Sequence, residues 1–253
     1  MAMPEADRPF VVPCTQLDAG APRRWLRLGW QDLQRAPALS LLFGATIMLF
    51  SIAVSAFAWY LGRFALLATL LSGFIFIAPL LAVGLYCVSR ELESRREPTL
   101  RHSFTLLQRV VGQAGIFALA LLVILLLWSR AGMMVSAFFP IQEEEWESLF
   151  NFLALGSLFG SIFASLTFAI TVFSLPMIAD RDVDMITACV SSINAVLRNK
   201  RVMILWATII ALLTLIGFAT AFIGLIVIMP WLAYSAWHSY RETLDASAWP
   251  PLE

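Results

Sequence analysis

Several stretches of this chain are too long and too apolar to belong to a water-soluble core. A helix needs about 20 apolar residues to cross the hydrocarbon region of a bilayer, which is about 30 Å thick. Runs of this kind occupy residues 38–60, 64–88, 113–129 and 149–173. Because backbone groups in lipid must be hydrogen-bonded within their own segment, these runs are predicted to be transmembrane helices.

The last apolar stretch, residues 202–239, is too long for one crossing. As a single helix it would extend for about 57 Å, which exceeds the thickness of any bilayer. We therefore predict two spans divided near Gly217. Composition agrees with this class, since 60% of the residues are hydrophobic and only 13% are charged, whereas soluble domains carry about 25% charged residues.

The distribution of basic residues predicts the orientation of these six spans. Lys and Arg are retained on the cytoplasmic face during insertion. With both chain ends inside, fifteen of the seventeen basic residues fall on that face, and only Arg63 and Arg130 fall outside. We therefore expect a multi-pass protein of the bacterial inner membrane with cytoplasmic termini. The inside residues are Arg8, Arg23, Arg24, Arg27, Arg35, Arg90, Arg95, Arg96, Arg101, Arg109, Arg181, Arg198, Lys200, Arg201 and Arg241.

Each predicted pair of spans follows a short amphipathic segment. In all three segments, apolar residues lie nine, five and two positions before an arginine, which places them on one helical face. Such helices lie in the interface, with basic side chains reaching toward anionic lipid headgroups. The three sets are Leu26, Trp30 and Leu33 before Arg35, Leu100, Phe104 and Leu107 before Arg109, and Cys189, Ile193 and Val196 before Arg198.

A proline late in the second span closes each pair, at Pro79, Pro176 and Pro230. The closing phrase is nearly repeated as "IAPLLAVGLYCVSRE" and "IMPWLAYSAWHSYRE". We therefore expect an all-α polytopic bundle of six helices, arranged as three pseudo-repeated hairpins that each follow an interfacial helix. The predicted divisions are a disordered tail at 1–20, a membrane domain at 21–245 with units at about 21–93, 98–181 and 184–244, and a short tail at 246–253.

The residue types needed for redox or metal chemistry are scarce. The only histidines are His102 and His238, both predicted near the inner face, and Cys14, Cys87 and Cys189 are scattered without a C-x-x-C pair. Haem and copper sites usually require His or Met ligands within the spans. We expect no catalytic residue, no metal, no cofactor and no nucleic-acid partner.

The segment "DRDVD" holds the strongest candidates for ligand contact: Asp180, Arg181, Asp182 and Asp184. Carboxylates at this spacing can bind a hard cation or a substrate. Asp is also a preferred N-cap, and an amphipathic helix is predicted to begin here. Capping is the favoured interpretation, because it needs no further ligands.

Two other features offer binding surfaces rather than chemistry. The predicted outer loop carries Glu143, Glu144, Glu145 and Glu147, which form either a solvated loop or a docking site for a basic partner. In the fourth span, the small residues Gly156, Gly160 and Ala164 lie four apart. That spacing is typical of close helix packing, within this bundle or against a neighbouring protein.

Four segments together resemble a known bacterial group: "LGWQDLQRAPALSLLFG", "APLLAVGLYCVSRELE", "FSLPMIADRDVDMITA" and "MPWLAYSAWHSYRETL". The chain resembles, over about residues 26–244, the predicted integral membrane proteins called domain of unknown function 2189. That family has no established function, and some members are linked to cytochrome c oxidase. The resemblance therefore implies a respiratory neighbourhood and assigns no site residue.

Three functions remain open from the sequence. The leading hypothesis is a non-catalytic accessory or assembly subunit of a larger membrane complex, with a cytochrome c oxidase-type complex as the candidate. The near absence of charged residues within the spans and the small residues Gly156, Gly160 and Ala164 favour this hypothesis. The alternative is a small transporter or lipid-handling protein, suggested by the repeat and by the basic inner collar. A membrane enzyme using the "DRDVD" carboxylates is the third, although no nucleophile or His stands beside them.

Overall fold

The described residues of this computed structural model are 8–61, 81–138 and 146–252, and most of them lie in helices. Residues 81–93 are helical and are called α3. Most of the predicted second span, including Pro79, lies outside the described residues. The other helices are α1 Ala21–Arg35, α2 Pro37–Leu61, α4 Leu100–Phe138, α5 Trp146–Asp180, α6 Met185–Arg198, α7 Lys200–Ala219 and α8 Leu225–Thr243.

Four of these helices are long and apolar enough to cross a membrane. The membrane-length segments are Pro37–Phe57, Leu100–Val135, Phe150–Asp180 and Lys200–Ala219. Within each of them only 17% to 39% of the most apolar stretch is buried in the protein. The prediction of an all-helical chain with several spans is therefore confirmed, and the spans mostly face outward.

The arrangement into six spans and three equivalent hairpins is not confirmed. The interfacial segment expected before span three is continuous with that span in α4, which is 39 residues long. The helix does not break between the two segments, because no proline interrupts 100–138 and each glycine in a helix costs only about 1 kcal/mol relative to Ala. By contrast, α1 ends at Arg35 before Pro37, and α6 ends at Arg198 before α7.

The final apolar stretch forms two helices, as predicted, separated by a turn after Ala219 rather than at Gly217. The second of them, α8, is not among the four membrane-length segments found in the described residues. Its sequence mixes apolar residues with Ser235, Trp237, His238 and Tyr240. These side chains suit α8 to burial inside the protein, because other helices supply partners for their polar atoms.

Helix α1 packs against α8 mainly through residues beside the predicted apolar face, although Trp30 of that face meets Trp231 of α8 edge to face at 5.2 Å. The buried residues of α1 include Trp25, Gly29 and Asp32, whereas Trp30 of the predicted apolar face is 39% exposed. A Cβ atom added at Gly29 would lie 2.7 Å from the Ser235 backbone nitrogen. The two backbones therefore approach too closely for any residue larger than glycine. Hydrophobic periodicity alone does not predict such a contact.

Helix α2 approaches α8 in the same way. A Cβ atom at Gly44 would lie 2.6 Å from the Ile226 carbonyl carbon. Farther along the interface, the Ser40 and Tyr234 hydroxyls are hydrogen-bonded at 2.8 Å. Helix α8 is thus enclosed by α1 on one side and α2 on another, and both approaches depend on glycine.

The main core lies at the end of the bundle that carries α1, α6 and the two terminal segments. Trp25, Trp206 and Trp237 are fully buried there, and the Trp25 and Trp206 rings meet edge to face at 5.4 Å. Aromatic pairs in this geometry contribute beyond the area they bury. Packing at this end therefore holds together helices whose remaining lengths have few internal neighbours.

The segment before α1 is bound to this end of the bundle. The Val12 N–H donates to Ser191 Oγ at 2.9 Å, and the Leu17 N–H donates to Asn199 Oδ1 at 2.8 Å. The Thr15 N–H donates to the Thr243 carbonyl at 2.9 Å. A disordered tail was expected for 1–20. Residues 12–17 are instead hydrogen-bonded to α6, to α8 and to Asn199 between α6 and α7, while 1–7 lie outside the described residues.

The segment after α8 is also docked. Trp249 is buried, and the Leu252 N–H donates to the Asp180 carbonyl at 2.9 Å. The two terminal segments meet directly, because the Asp245 N–H donates to the Pro13 carbonyl at 3.0 Å. Residues near both ends of the chain therefore lie at one end of the bundle.

We expect Gly44→Ala to destabilise the protein by about 1–3 kcal/mol, because the added methyl group would overlap the Ile226 backbone. Gly29→Ala should act in the same direction. Thermal unfolding in detergent, followed by circular dichroism, measures both changes.

The matched control is Gly112→Ala in α4. A Cβ atom there meets no atom within 4 Å among the described residues, so this variant should be neutral or more stable by up to about 1 kcal/mol. Equal unfolding temperatures for Gly44→Ala and Gly112→Ala would contradict the close α2–α8 contact.

Candidate functional site

Buried carboxylates gather at the end of the bundle that carries the terminal segments. Asp32 of α1 is only 4% exposed, and its Oδ2 accepts a hydrogen bond from Ser89 Oγ at 2.8 Å. The His238 Nε2 atom lies 2.8 Å from the same oxygen. This polar contact joins α1, α3 and α8, so it explains His238 as a structural partner of Asp32.

A second buried carboxylate, Asp180, ends α5. Its Oδ2 accepts hydrogen bonds from the Tyr240 hydroxyl at 2.8 Å and from Arg181 Nε at 3.0 Å. Arg241 Nη1 lies 3.4 Å from it and also reaches Glu93 at 3.2 Å through Nη2. Two guanidinium groups thus balance the buried charge, as buried ions require.

The remaining "DRDVD" residues also have partners within the fold. Arg181 Nη1 donates to the Trp249 carbonyl at 3.1 Å, and the Asp182 N–H donates to the Pro250 carbonyl at 3.0 Å. Asp184 is the N-cap of α6 and accepts from the Thr187 N–H at 2.9 Å. The four residues therefore do not converge on one point, and no group of metal-ligating side chains is found in the described parts of the chain.

The electrostatics of Asp184 agree with capping. Its partial burial opposes ionisation, but the hydrogen bonds from Thr187 and the N–H of Ile186 outweigh that effect, and the pKa of the carboxyl lies below its ordinary value. A lowered pKa in the folded state means that the charged form stabilises the protein above the unfolded-state pKa and that this gain is lost as the pH falls through the folded-state pKa.

Of the acidic residues in the predicted outer loop, only Glu147 lies among the described residues. Glu143, Glu144 and Glu145 lie outside the described residues. Glu147 is exposed in the first turn of α5, where a negative charge complements the helix dipole.

Two of the three small residues of α5, Gly160 and Ala164, face an open groove rather than a close helix contact. Gly160 and Ala164 line a groove of about 510 Å³ between α4 and α5. The nearest neighbour of a Cβ atom at Gly160 would be Trp128 Nε1, at 3.9 Å. A Cβ atom at Gly156 would meet no described atom within 4 Å. Apart from Thr167 and Thr171, the groove is lined by apolar or small residues.

A cavity of about 530 Å³ lies between α3, α4 and the C-terminal segment, and arginines line much of it. A buried carboxylate, Glu91, is 8% exposed on its wall. Helix α3 contributes residues one turn apart, and α4 contributes residues at helical spacing along one face. The lining consists of Cys87, Arg90, Glu91, Arg96, His102, Thr105, Leu106, Arg109, Pro251 and Leu252.

Sequence reasoning did not find this cavity, although part of its signal is present. His102, Thr105, Leu106 and Arg109 follow the i, i+3, i+4, i+7 spacing of one helical face. The predicted apolar face of the same segment, with Leu100, Phe104 and Leu107, lies on a different side of the helix. The sequence does not predict that Leu252, which is distant along the chain, also lines the cavity.

An all-helical chain with several membrane-length helices defines the class: this is an α-helical integral membrane protein. Residues 66–180 match the family described as "Predicted integral membrane protein (DUF2189)", which confirms the resemblance over those residues. No curated protein and no solved structure matches the chain.

We predict that Asp184→Ala will destabilise the protein by about 1 kcal/mol, because the α6 N-cap is lost. Asp184→Asn should keep most of the stability, since Asn caps nearly as well. Thermal unfolding at pH 7 measures both.

Repeating the comparison at low pH separates charge from capping. The stability advantage of the native protein over Asp184→Asn should shrink as the pH falls below about 4, where the carboxyl begins to protonate. An Asp184→Ala variant as stable as the native protein would show that the cap contributes nothing.

Proposed function

We propose that this protein is a non-catalytic accessory or assembly subunit of a larger membrane complex. The observation that supports it best is the open α4–α5 groove. Gly160 lines this groove, and a Cβ atom there would have its nearest neighbour, Trp128 Nε1, at 3.9 Å, yet each glycine in a helix costs about 1 kcal/mol relative to Ala. A helix of another membrane protein lying in the groove would require small residues at this surface.

The polar clusters are consistent with this non-catalytic role. Asp180 and Asp184 are engaged by Tyr240, Arg181 and Thr187, and Asp32 is engaged by Ser89 and His238. Each interaction joins secondary-structure elements or caps one. These carboxylates therefore have a structural role that needs no substrate.

The family resemblance supplies the candidate complex. Because some related proteins are linked to cytochrome c oxidase, a respiratory complex of that type is the partner to test first. The protein would contribute a helical surface to such a complex rather than redox ligands. Its two histidines, His102 and His238, are predicted to lie near the inner face and not in the middle of a span.

Filling the groove should disrupt this association. We expect Gly160→Leu to lower the amount of copurified partner by about tenfold, because Gly160 lines the groove and overpacking that costs 1.4 kcal/mol or more changes an equilibrium constant by that factor. The measurement is quantitative mass spectrometry after purification from native membranes in mild detergent.

The control is Ala154→Leu, which adds similar bulk at an exposed position of α5 that does not line the groove. It should leave the copurified proteins unchanged. If the native protein purifies alone under these conditions, the accessory role is wrong, whatever the variants do.

The location we propose is the bacterial inner membrane with both terminal segments in the cytoplasm. The hydrogen bonds between 13–15 and 243–245 support an even number of crossings, because they hold both segments at one end of the bundle. Most of the arginines are at the positions expected for the cytoplasmic side.

Reporter fusions test this orientation. Alkaline phosphatase fused after Glu253 should be inactive, and green fluorescent protein at the same place should fluoresce, because both report a cytoplasmic location. The same pair of reporters inserted after Glu145 should give the opposite result. A periplasmic C-terminal reporter would overturn the proposed topology.

A second candidate function, lipid handling or small-molecule transport, is favoured by the cavity that Arg90, Arg96 and Arg109 line. Its position near one end of α4 suits the headgroup layer better than a transport path through the membrane centre.

A further inference from the structure

The cavity between α3, α4 and the C-terminal segment is an open pocket that combines positive charge with a buried carboxylate. Arg90, Arg96 and Arg109 line it together with a single carboxylate, that of Glu91. Even with His102 neutral, the lining is therefore net positive. Its volume of about 530 Å³ lies within the range of small-molecule sites.

The three arginines are not equally committed to the fold. Arg90 donates to the carbonyls of Ala179, at 3.3 Å, and of Leu252, so it anchors the C-terminal segment as well as lining the cavity. Arg109 is exposed and makes no hydrogen bond or ion pair with the described residues. Its guanidinium group is available to an anion that enters the cavity.

Glu91 provides an acceptor inside the same cavity. Its Oε2 atom is buried, and no described N–H or O–H donates a hydrogen bond to it. Arg96 Nε lies 2.9 Å and His102 Nδ1 3.7 Å from that oxygen, and neither contact has hydrogen-bond alignment. A buried carboxylate oxygen without a donor is uncommon, so Glu91 indicates that a donor group belongs beside the arginines.

The position of the cavity along α4, relative to the membrane, indicates the source of such a ligand. Arg109 lies at the start of an uncharged stretch, residues 110–129, that is long enough to cross the hydrocarbon region. A group held by Arg109 is therefore at the level of the lipid headgroups. Arginine suits phosphate there, because its planar guanidinium donates two parallel hydrogen bonds.

We propose that this cavity binds a phosphodiester whose headgroup carries a hydroxyl or amine donor, and that the ligand is a phospholipid. Arg96 and Arg109 bind the phosphate, and Glu91 accepts from the headgroup donor. Free inorganic phosphate shares the first half of this chemistry. The proposal deepens the lipid-handling candidate, but ligand binding is measured on the isolated protein and does not depend on the accessory role.

The test uses the full chain purified in detergent and titrated with dioctanoyl phosphatidylglycerol, dioctanoyl phosphatidylmethanol or inorganic phosphate. Native mass spectrometry gives the apparent Kd. Phosphatidylmethanol carries the same phosphodiester charge without a headgroup hydroxyl. We expect phosphatidylglycerol to bind at least about fivefold more tightly than phosphatidylmethanol, and Glu91→Gln to reduce that preference, because a charged acceptor strengthens the hydrogen bond.

Arg109→Gln tests the phosphate contact. This variant should weaken phosphatidylglycerol binding by about fivefold or more, because a charge-assisted contact is lost. Because Arg109 makes no hydrogen bond or ion pair with the described residues, this variant should unfold at the native temperature without ligand. Arg101→Gln is the matched control: it is an exposed arginine of α4 that does not line the cavity.

Equal effects of Arg109→Gln and Arg101→Gln, or no saturable binding of any probe, would overturn the site. Inorganic phosphate that competes with phosphatidylglycerol at a comparable Kd would overturn the lipid as ligand and leave a soluble phosphate in its place. Loss of copurified proteins has no bearing on these titrations, so failure of the accessory role is recognised separately.

Discussion

The contact that the rest of the structure depends on is the approach of α1 and α2 to α8. At Gly29 and Gly44 the neighbouring backbones come too close for a Cβ atom, to the Ser235 and Ile226 main chains respectively. Close approach lets Tyr234 of α8 reach Ser40 and lets His238 of α8 reach Asp32. In this way α8, a helix with polar and aromatic side chains, becomes the centre of an otherwise apolar assembly.

Because the packing is concentrated around α8 and at one end of the bundle, the membrane-length helices keep most of their apolar surface outward. In water such surfaces would aggregate, whereas in lipid they need no internal partner. The same concentration brings both terminal segments together and places Leu252 against α3 and α4. The arginine-lined cavity is a consequence of that closure.

Much of the fold was predictable from composition and charge alone. Uncharged runs of about 20 residues predict helical spans, and the division of 202–239 into two helices follows from their length. The interruption expected between the interfacial segment and span three was wrong, because nothing between Leu100 and Phe138 forces the helix to stop. Of the candidate site, Asp184 was recognisable as a cap, whereas Glu91 carried no local signal.

The sequence by itself determined that this protein belongs in a membrane, because the transfer of long apolar segments into lipid depends only on length and composition. It also determined where helices can begin, through local capping and proline effects. Only the tertiary structure decided which face of α1 is buried, that 8–20 and the residues after α8 dock, and that Arg90, Glu91 and Arg109 share one cavity. Those outcomes depend on backbone approach and on contacts between residues far apart in the chain, which neither periodicity nor charge pattern records.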